Sequence, residues 1–204
     1  MADPPEGWTV GRTPLARPDW VYVEKPSLAE FAAEDWAALN RQRGPYYREQ
    51  QVRQILRMLT VSRDDPSFGY QINNYGHCLQ TATMVMQDSH DEETTVVALL
   101  HDVGFVVCPE THDAFAAALL APYVAERHRW MVEHHQVFQQ YHFQDYPGLD
   151  RHARERWRGH PHFAWTAEFV ERYDIRAIRG DYPTAPLAVF EPMVHRLFAR
   201  ASRP

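Results

Sequence analysis

The chain predicts an all-α protein, and three features of its 204 residues carry that prediction. Apolar residues recur at helical spacing in one segment after another, no run alternates with period two for long, and capping or breaking residues bound the segments. With 45% hydrophobic and 13% aromatic residues, the chain can build one sizeable core and is short for two. The expected architecture is a compact helical bundle.

Residues 1–27 carry Pro4, Pro5, Pro14, Pro18 and Pro26 with little helical periodicity, and they read as an extended arm. Residues 28–204 read as a single domain. Ser27 is placed to cap a first helix, with Glu30 at its third position and Leu28, Phe31, Ala32 and Trp36 on one face. "GPYY" is expected to break that helix, after which Val52, Ile55, Leu56 and Leu59 form the stripe of a second, ended by "RDDPSFG". Further helices are expected over residues 75–87, 92–103, 113–124, 126–141 and 161–173, with Pro122 distorting or ending the third of these. "PLAVFEPMVHRLFAR" reads as a short last helix. No internal repeat or low-complexity tract interrupts the series.

Composition removes several function classes. A net charge of -6 without any basic run argues against nucleic acid as a partner. The two cysteines, Cys78 and Cys108, have no paired spacing, so neither a disulfide framework nor a thiolate zinc site is indicated, and each reads as an inert thiol. No segment reaches the roughly 18 uninterrupted apolar residues of a membrane span, and no signal-length apolar core opens the chain. A soluble, cytoplasmic protein with no membrane partner is expected; its oligomeric state is left open. Nine glycines form no phosphate-binding loop, and no G-x-S-x-G elbow is present.

What remains is a set of histidines and carboxylates. The apolar run "ALLHDVG" ends on His101-Asp102, and His77 lies 24 residues earlier, near the start of the preceding helix, so an antiparallel pair would bring these ends together. His112 opens the next helix, His134-His135 lies inside the one after, and Asp174 closes "AEFVERYD". Neutral imidazoles with carboxylates suit iron, manganese or zinc. Six such groups exceed what one metal with an open position needs and suit two metals bridged by a carboxylate such as Asp102. His90, His128, His142, His152, His160, His162 and His195 read as ordinary structural or solvated side chains.

"HCLQTA" from His77, "ALLHDVG" around His101-Asp102 and the closing Asp174 resemble the HD-domain superfamily of metal-dependent proteins. The resemblance covers about Phe68 to Asp174 and implies an all-α HD-type bundle around a metal site. Most of the superfamily are phosphohydrolases. The ligand order here is more similar to an oxygenase branch that includes myo-inositol oxygenase and the diiron dioxygenases that cleave hydroxylated aminophosphonates. That branch implies His77, His101, Asp102, His112, His135 and Asp174 as ligands of two iron ions, ferrous and ferric. It also implies a small hydroxylated or amino-bearing substrate and O2 as the other partners. A hydrolase would instead take manganese or another divalent metal and act on a phosphate ester or nucleotide.

Helix neighbours point about 100° apart, so only one of His134 and His135 can face the site. Phe138, which would share the face of His135, favours the latter by the same resemblance. Phe105 and Gln139 stand where related oxygenases can place cations, which argues against a phosphonate substrate unless Arg127, Arg129, Arg151 or Arg158 supplies charge from elsewhere. Tyr70 and Tyr75, just before His77, complete the candidate substrate-facing residues with Phe105 and Gln139.

Overall fold

The computed structural model describes residues 17–200, so most of the arm expected over residues 1–27 lies outside the described residues. The chain forms two compact units, residues 1–49 and residues 50–204, and their boundary falls within the first α-helix. Among the described residues there are seven α-helices and no strand.

In the first unit, residues 17–27 contain no helix. The Gln42 side chain pairs with the main chain of Val21, accepting from its N–H at 2.6 Å and donating to its carbonyl at 3.0 Å. Ser27 does cap, but what it caps is a 3-10 turn, Leu28–Glu30, with its hydroxyl accepting from Ala29 N–H at 3.2 Å. Helix α1 runs Ala33–Val61 and starts where Asp35 accepts from the Ala32 N–H at 2.7 Å.

The expected break at "GPYY" does not occur, because α1 continues through Pro45. Proline there removes the donor that would meet the Arg41 carbonyl, at a cost of about 3 kcal/mol. Strong helix formers on both sides, such as Glu49, Gln50 and Gln51 after it, offset that cost. The predicted second helix is therefore the C-terminal part of α1, and its stripe of Val52, Ile55 and Leu59 is buried as expected.

The second unit is a helical bundle: α2 (Asn74–Gln87), α3 (Glu92–Leu100), α4 (His112–Leu120), α5 (Glu126–Gln139), α6 (Phe163–Arg172) and α7 (Leu187–Phe198). Helix α2 packs along α3, α4 along α5, α5 along α6, and α7 against α3. Every residue of α3 from Thr94 to Leu100 is buried, so this helix is the centre of the unit. Asp91 caps it by accepting from Thr94 N–H at 2.8 Å. Helix α4 ends at Leu120, two residues before Pro122. A 3-10 turn, Gln140–His142, follows α5, and two further 3-10 turns, Ala153–Trp157 and Asp174–Arg176, lie where no separate element was expected.

Candidate metal centre

Five pieces of chain deliver the ligands. Asn73 caps α2 through Gly76 N–H, while its amide donates to the carbonyls of Ser62, Arg63 and Asp65; this ties the start of α2, and with it His77, to the turn after α1. The central α3 ends at Leu100, and the tight turn beyond it carries His101 and Asp102, 0% and 5% exposed, within the core. Gly104 is required in that turn: a Cβ there would lie 2.6 Å from the Phe115 ring. The amide of Asn74 braces the same turn by donating to the Asp102 carbonyl at 3.1 Å. His112 opens α4, His135 sits mid-α5, and Asp174 begins the 3-10 turn after α6.

These six side chains meet. His77 Nε2 lies 3.2 Å from His101 Nε2, 3.3 Å from Asp174 Oδ1 and 3.5 Å from Asp102 Oδ2. His101 Nε2 is 3.5 Å from Asp174 Oδ1. On the other side of the same carboxylate, Asp102 Oδ1 is 3.2 Å from His112 Nε2 and 3.0 Å from His135 Nε2. Asp102 thus presents one oxygen to His77 and the other to His112 and His135. Two sets, His77 with His101 and Asp174, and His101 with Asp102 and His135, each hold donor atoms within 4.8 Å of one another and could hold metal ions.

The imidazoles share a tautomeric arrangement suited to ligation. Nδ1 of His101, His112 and His135 lies against the carbonyl three residues earlier, those of Ala98, Pro109 and Val132, at 2.7, 2.8 and 2.7 Å. His77 Nδ1 instead meets the carbonyl of Ala177, at 3.0 Å. With Nδ1 donating, each Nε2 is left as a lone-pair donor aimed at the centre. Asp174 Oδ1 is buried with no hydrogen-bond partner, an arrangement that costs energy unless a cation or donor meets it.

Electrostatics follow from this concentration of groups. Burial would raise the carboxyl pKa values of Asp102 and Asp174; the surrounding imidazoles, His101 foremost for both, outweigh it and hold both well below the usual range. Burial works against protonating His135 as well, but the hydrogen bond and charge of Asp102 push its pKa up to about 9. His77 and His112 are raised in the same sense, burial again opposing the carboxylates. Burial, the larger influence, also pushes the Cys78 thiol up, in keeping with an inert cysteine.

The remaining candidates separate. His134 turns away: its Nδ1 meets the Trp130 carbonyl at 2.9 Å, and its ring stacks on Trp130 at 4.1 Å, so His135 is the member of the pair at the centre. The Phe105 ring lies edge-on to His112 at 5.3 Å. Gln139 reaches a ligand directly, its amide donating to Asp174 Oδ2 at 2.8 Å. Tyr75 is turned toward the end of α1, where its hydroxyl accepts from Arg63 at 3.1 Å, and Tyr70 is 63% exposed. Sequence reasoning missed the brace beneath Asp174. The Tyr173 hydroxyl donates to Asp88 at 2.9 Å and lies 2.8 Å from His90 Nε2; burial, then Asp88, push its pKa up to about 12. The aromatic in "RYD" was the available signal for this brace, whereas nothing local marks Ala177. No protein-family model matches the chain, and no curated protein matches it.

Proposed function

We propose that this chain is an HD-superfamily non-haem diiron oxygenase that oxidises, or cleaves, a small hydroxylated or amino-bearing molecule with O2. The observation that carries the reading is the shared carboxylate: Asp102 offers Oδ2 on the side of His77 and Oδ1 on the side of His112 and His135. His77, His101, Asp174 and Asp102 Oδ2 would hold one ion, and His112, His135 and Asp102 Oδ1 the other. The spacings fit such ions. Two donors each about 2.1 Å from one metal lie roughly 3.0 to 3.4 Å apart at octahedral or tetrahedral angles, which matches the 3.0 to 3.5 Å separations within each set. The donor set of imidazoles and carboxylates without thiolate suits iron or manganese.

When bound, two irons supply oxygen activation and an electrophilic site for a hydroxyl or amino group. The chain's own part is to fix donors and exclude water. The i-3 carbonyls hold three imidazoles in one tautomer, Gln139 orients Asp174, and the burial of His101, His135 and Asp174 keeps the centre dry on the core side. Phe105 places a ring beside His112, and the amide of Gln139 is committed to Asp174, so neither position offers a cation to a dianionic headgroup. A neutral or zwitterionic alcohol avoids the cost of burying uncompensated charge there.

Oxygen uptake by iron-loaded protein against a panel of small polyols, amino alcohols and phosphonates tests the reading, beside a phosphoesterase assay with manganese. Uptake with a polyol or amino alcohol is the expected result. Rapid metal-dependent phosphate release with no oxygen consumption would place the chain among the phosphohydrolases instead.

A further inference from the structure

Beyond the end of α5 lies a group of cations that the metal centre does not use. Arg154, in the 3-10 turn Ala153–Trp157, is only 9% exposed, and its buried Nε has no hydrogen-bond partner. Its guanidinium lies 3.5 Å over the Tyr141 ring and 5.8 Å from the rings of Phe138 and Phe163. Aromatic faces attract a cation but cannot accept its N–H groups in ordinary hydrogen bonds, and guanidinium carries five such donors. The nearest carboxylate, Glu155, comes only to 3.7 Å of Nε, outside hydrogen-bond reach, and its other oxygen is taken by Arg158. Glu155 thus offsets part of the charge, but the buried Nε donor stays unsatisfied, which is costly unless an acceptor meets it.

One neighbour shares the condition, and a second lies beside it with donor capacity to spare. His142 Nε2 is buried without a partner, its ring edge-on to Tyr141 at 5.3 Å. Arg151 gives Nε and one terminal nitrogen to the Tyr141 carbonyl, at 3.1 and 3.0 Å, which leaves its other terminal nitrogen to donate elsewhere. The charges acting on His142 are those of Arg154, Arg151 and Arg176, with Glu171 the opposing acid. Burial is the largest influence on that imidazole, and these cations add to it in keeping it neutral. Positive charge is therefore gathered at one partly sheltered place in a chain whose net charge is -6.

We propose that Arg154, Arg151 and His142 form a binding site for a small oxyanion, a phosphate or carboxylate group, at the C-terminal end of α5. The planar fork of Arg154 suits paired oxygens, the remaining terminal nitrogen of Arg151 can donate to one of them, and a neutral His142 can donate one further N–H. Two arginines and one neutral imidazole donor, all set against Tyr141, fit a compact anion; a nucleic-acid backbone calls for an extended basic stripe. The site is built from side chains separate from the metal ligands and stands whether or not the oxygenase reading holds.

The test uses the full-length, metal-loaded protein, titrated with inorganic phosphate and separately with acetate at constant ionic strength, with chloride as the background anion. Calorimetry and the thermal midpoint report binding, since a ligand of the folded state raises stability in a saturable way. Saturable binding of one of these anions is expected. Arg154→Lys, which keeps the charge but loses the fork, should weaken it about tenfold, the loss of one charge-assisted hydrogen bond. Arg151→Gln should weaken it as well, and Arg57→Gln, at an exposed position on α1, should leave it unchanged. Metal content should stay the same in all three variants. No saturable response to either anion overturns the proposal, and so does equal affinity in Arg154→Lys and the native chain. A response abolished by Asp102→Ala but kept in Arg154→Lys would assign the anion to the metal centre and overturn it equally.

Discussion

The amide of Gln139 donates to Asp174 Oδ2 at 2.8 Å, leaving Oδ1 of the same carboxylate turned toward His77 and His101 at 3.3 and 3.5 Å. One oxygen is held by an outer partner so that the other is free to ligate, the arrangement by which supporting residues tune metal sites. Gln139→Ala should lower metal affinity about tenfold or more. Competition against a chelator reads this directly, with circular dichroism to confirm retained helix. Unchanged affinity would show that Asp174 is positioned without Gln139.

Asp102 faces ligands on both of its sides, so its loss should affect more than one ion. Asp102→Ala and His101→Ala should each lose at least one of about two transition metals per chain, measured by elemental analysis after iron loading. Full occupancy in both variants would end the metal-centre reading.

His134 and His135 are adjacent, but only His135 Nε2 approaches Asp102, at 3.0 Å. His135→Ala should reduce metal content sharply. His134→Ala should leave it nearly intact and instead disturb the stack on Trp130, seen in tryptophan fluorescence.

His128 supplies a pH test away from the ligands. It is buried, with Nδ1 3.0 Å from Glu93 and Nε2 3.2 Å from Thr94; Arg127 and Asp91 also bear on it. Burial, the dominant influence, lowers its pKa below the usual 6.5 against the pull of Glu93. The unfolded chain then takes up a proton at this residue before the folded one does, so its contribution is full above pH 6.5 and declines as pH falls toward the folded value. Denaturant unfolding of metal-loaded native protein and His128→Gln should show the native chain losing stability relative to the variant below pH 6.5. A gap that widens as pH falls would contradict the assignment.

Gly104 lets the turn after Asp102 pass the Phe115 ring, where a Cβ would come to 2.6 Å. Gly104→Ala should destabilise the protein by about 1 to 3 kcal/mol through overpacking and weaken metal retention by shifting Asp102. Thermal unfolding with parallel metal analysis checks both effects.

The helices of the second unit were legible because their determinants are local: apolar residues at helical spacing, and residues such as Asp91 that cap where the stripe begins. Much of the centre was legible for the same reason. Helical spacing alone placed His101, His112 and His135 on helix ends or faces, whereas the carbonyls three residues behind them, which set their tautomer, came into view only in the structure. The continuity of α1 through Pro45 was not legible, since a local breaker was outweighed by helix formers on both sides. Long-range packing decided the rest. Ala177 reaches His77 from 100 residues away, Gln139 meets Asp174 across 35, and Tyr75 turns to Arg63. Which side chain fills such a gap depends on how the helices pack, and periodicity within one helix carries no record of the face its neighbour presents. The burial of Arg154 against Tyr141, Phe138 and Phe163 is of this kind: a charged residue in a polar stretch became a sheltered cation only when α5, α6 and the 3-10 turn between them closed around it.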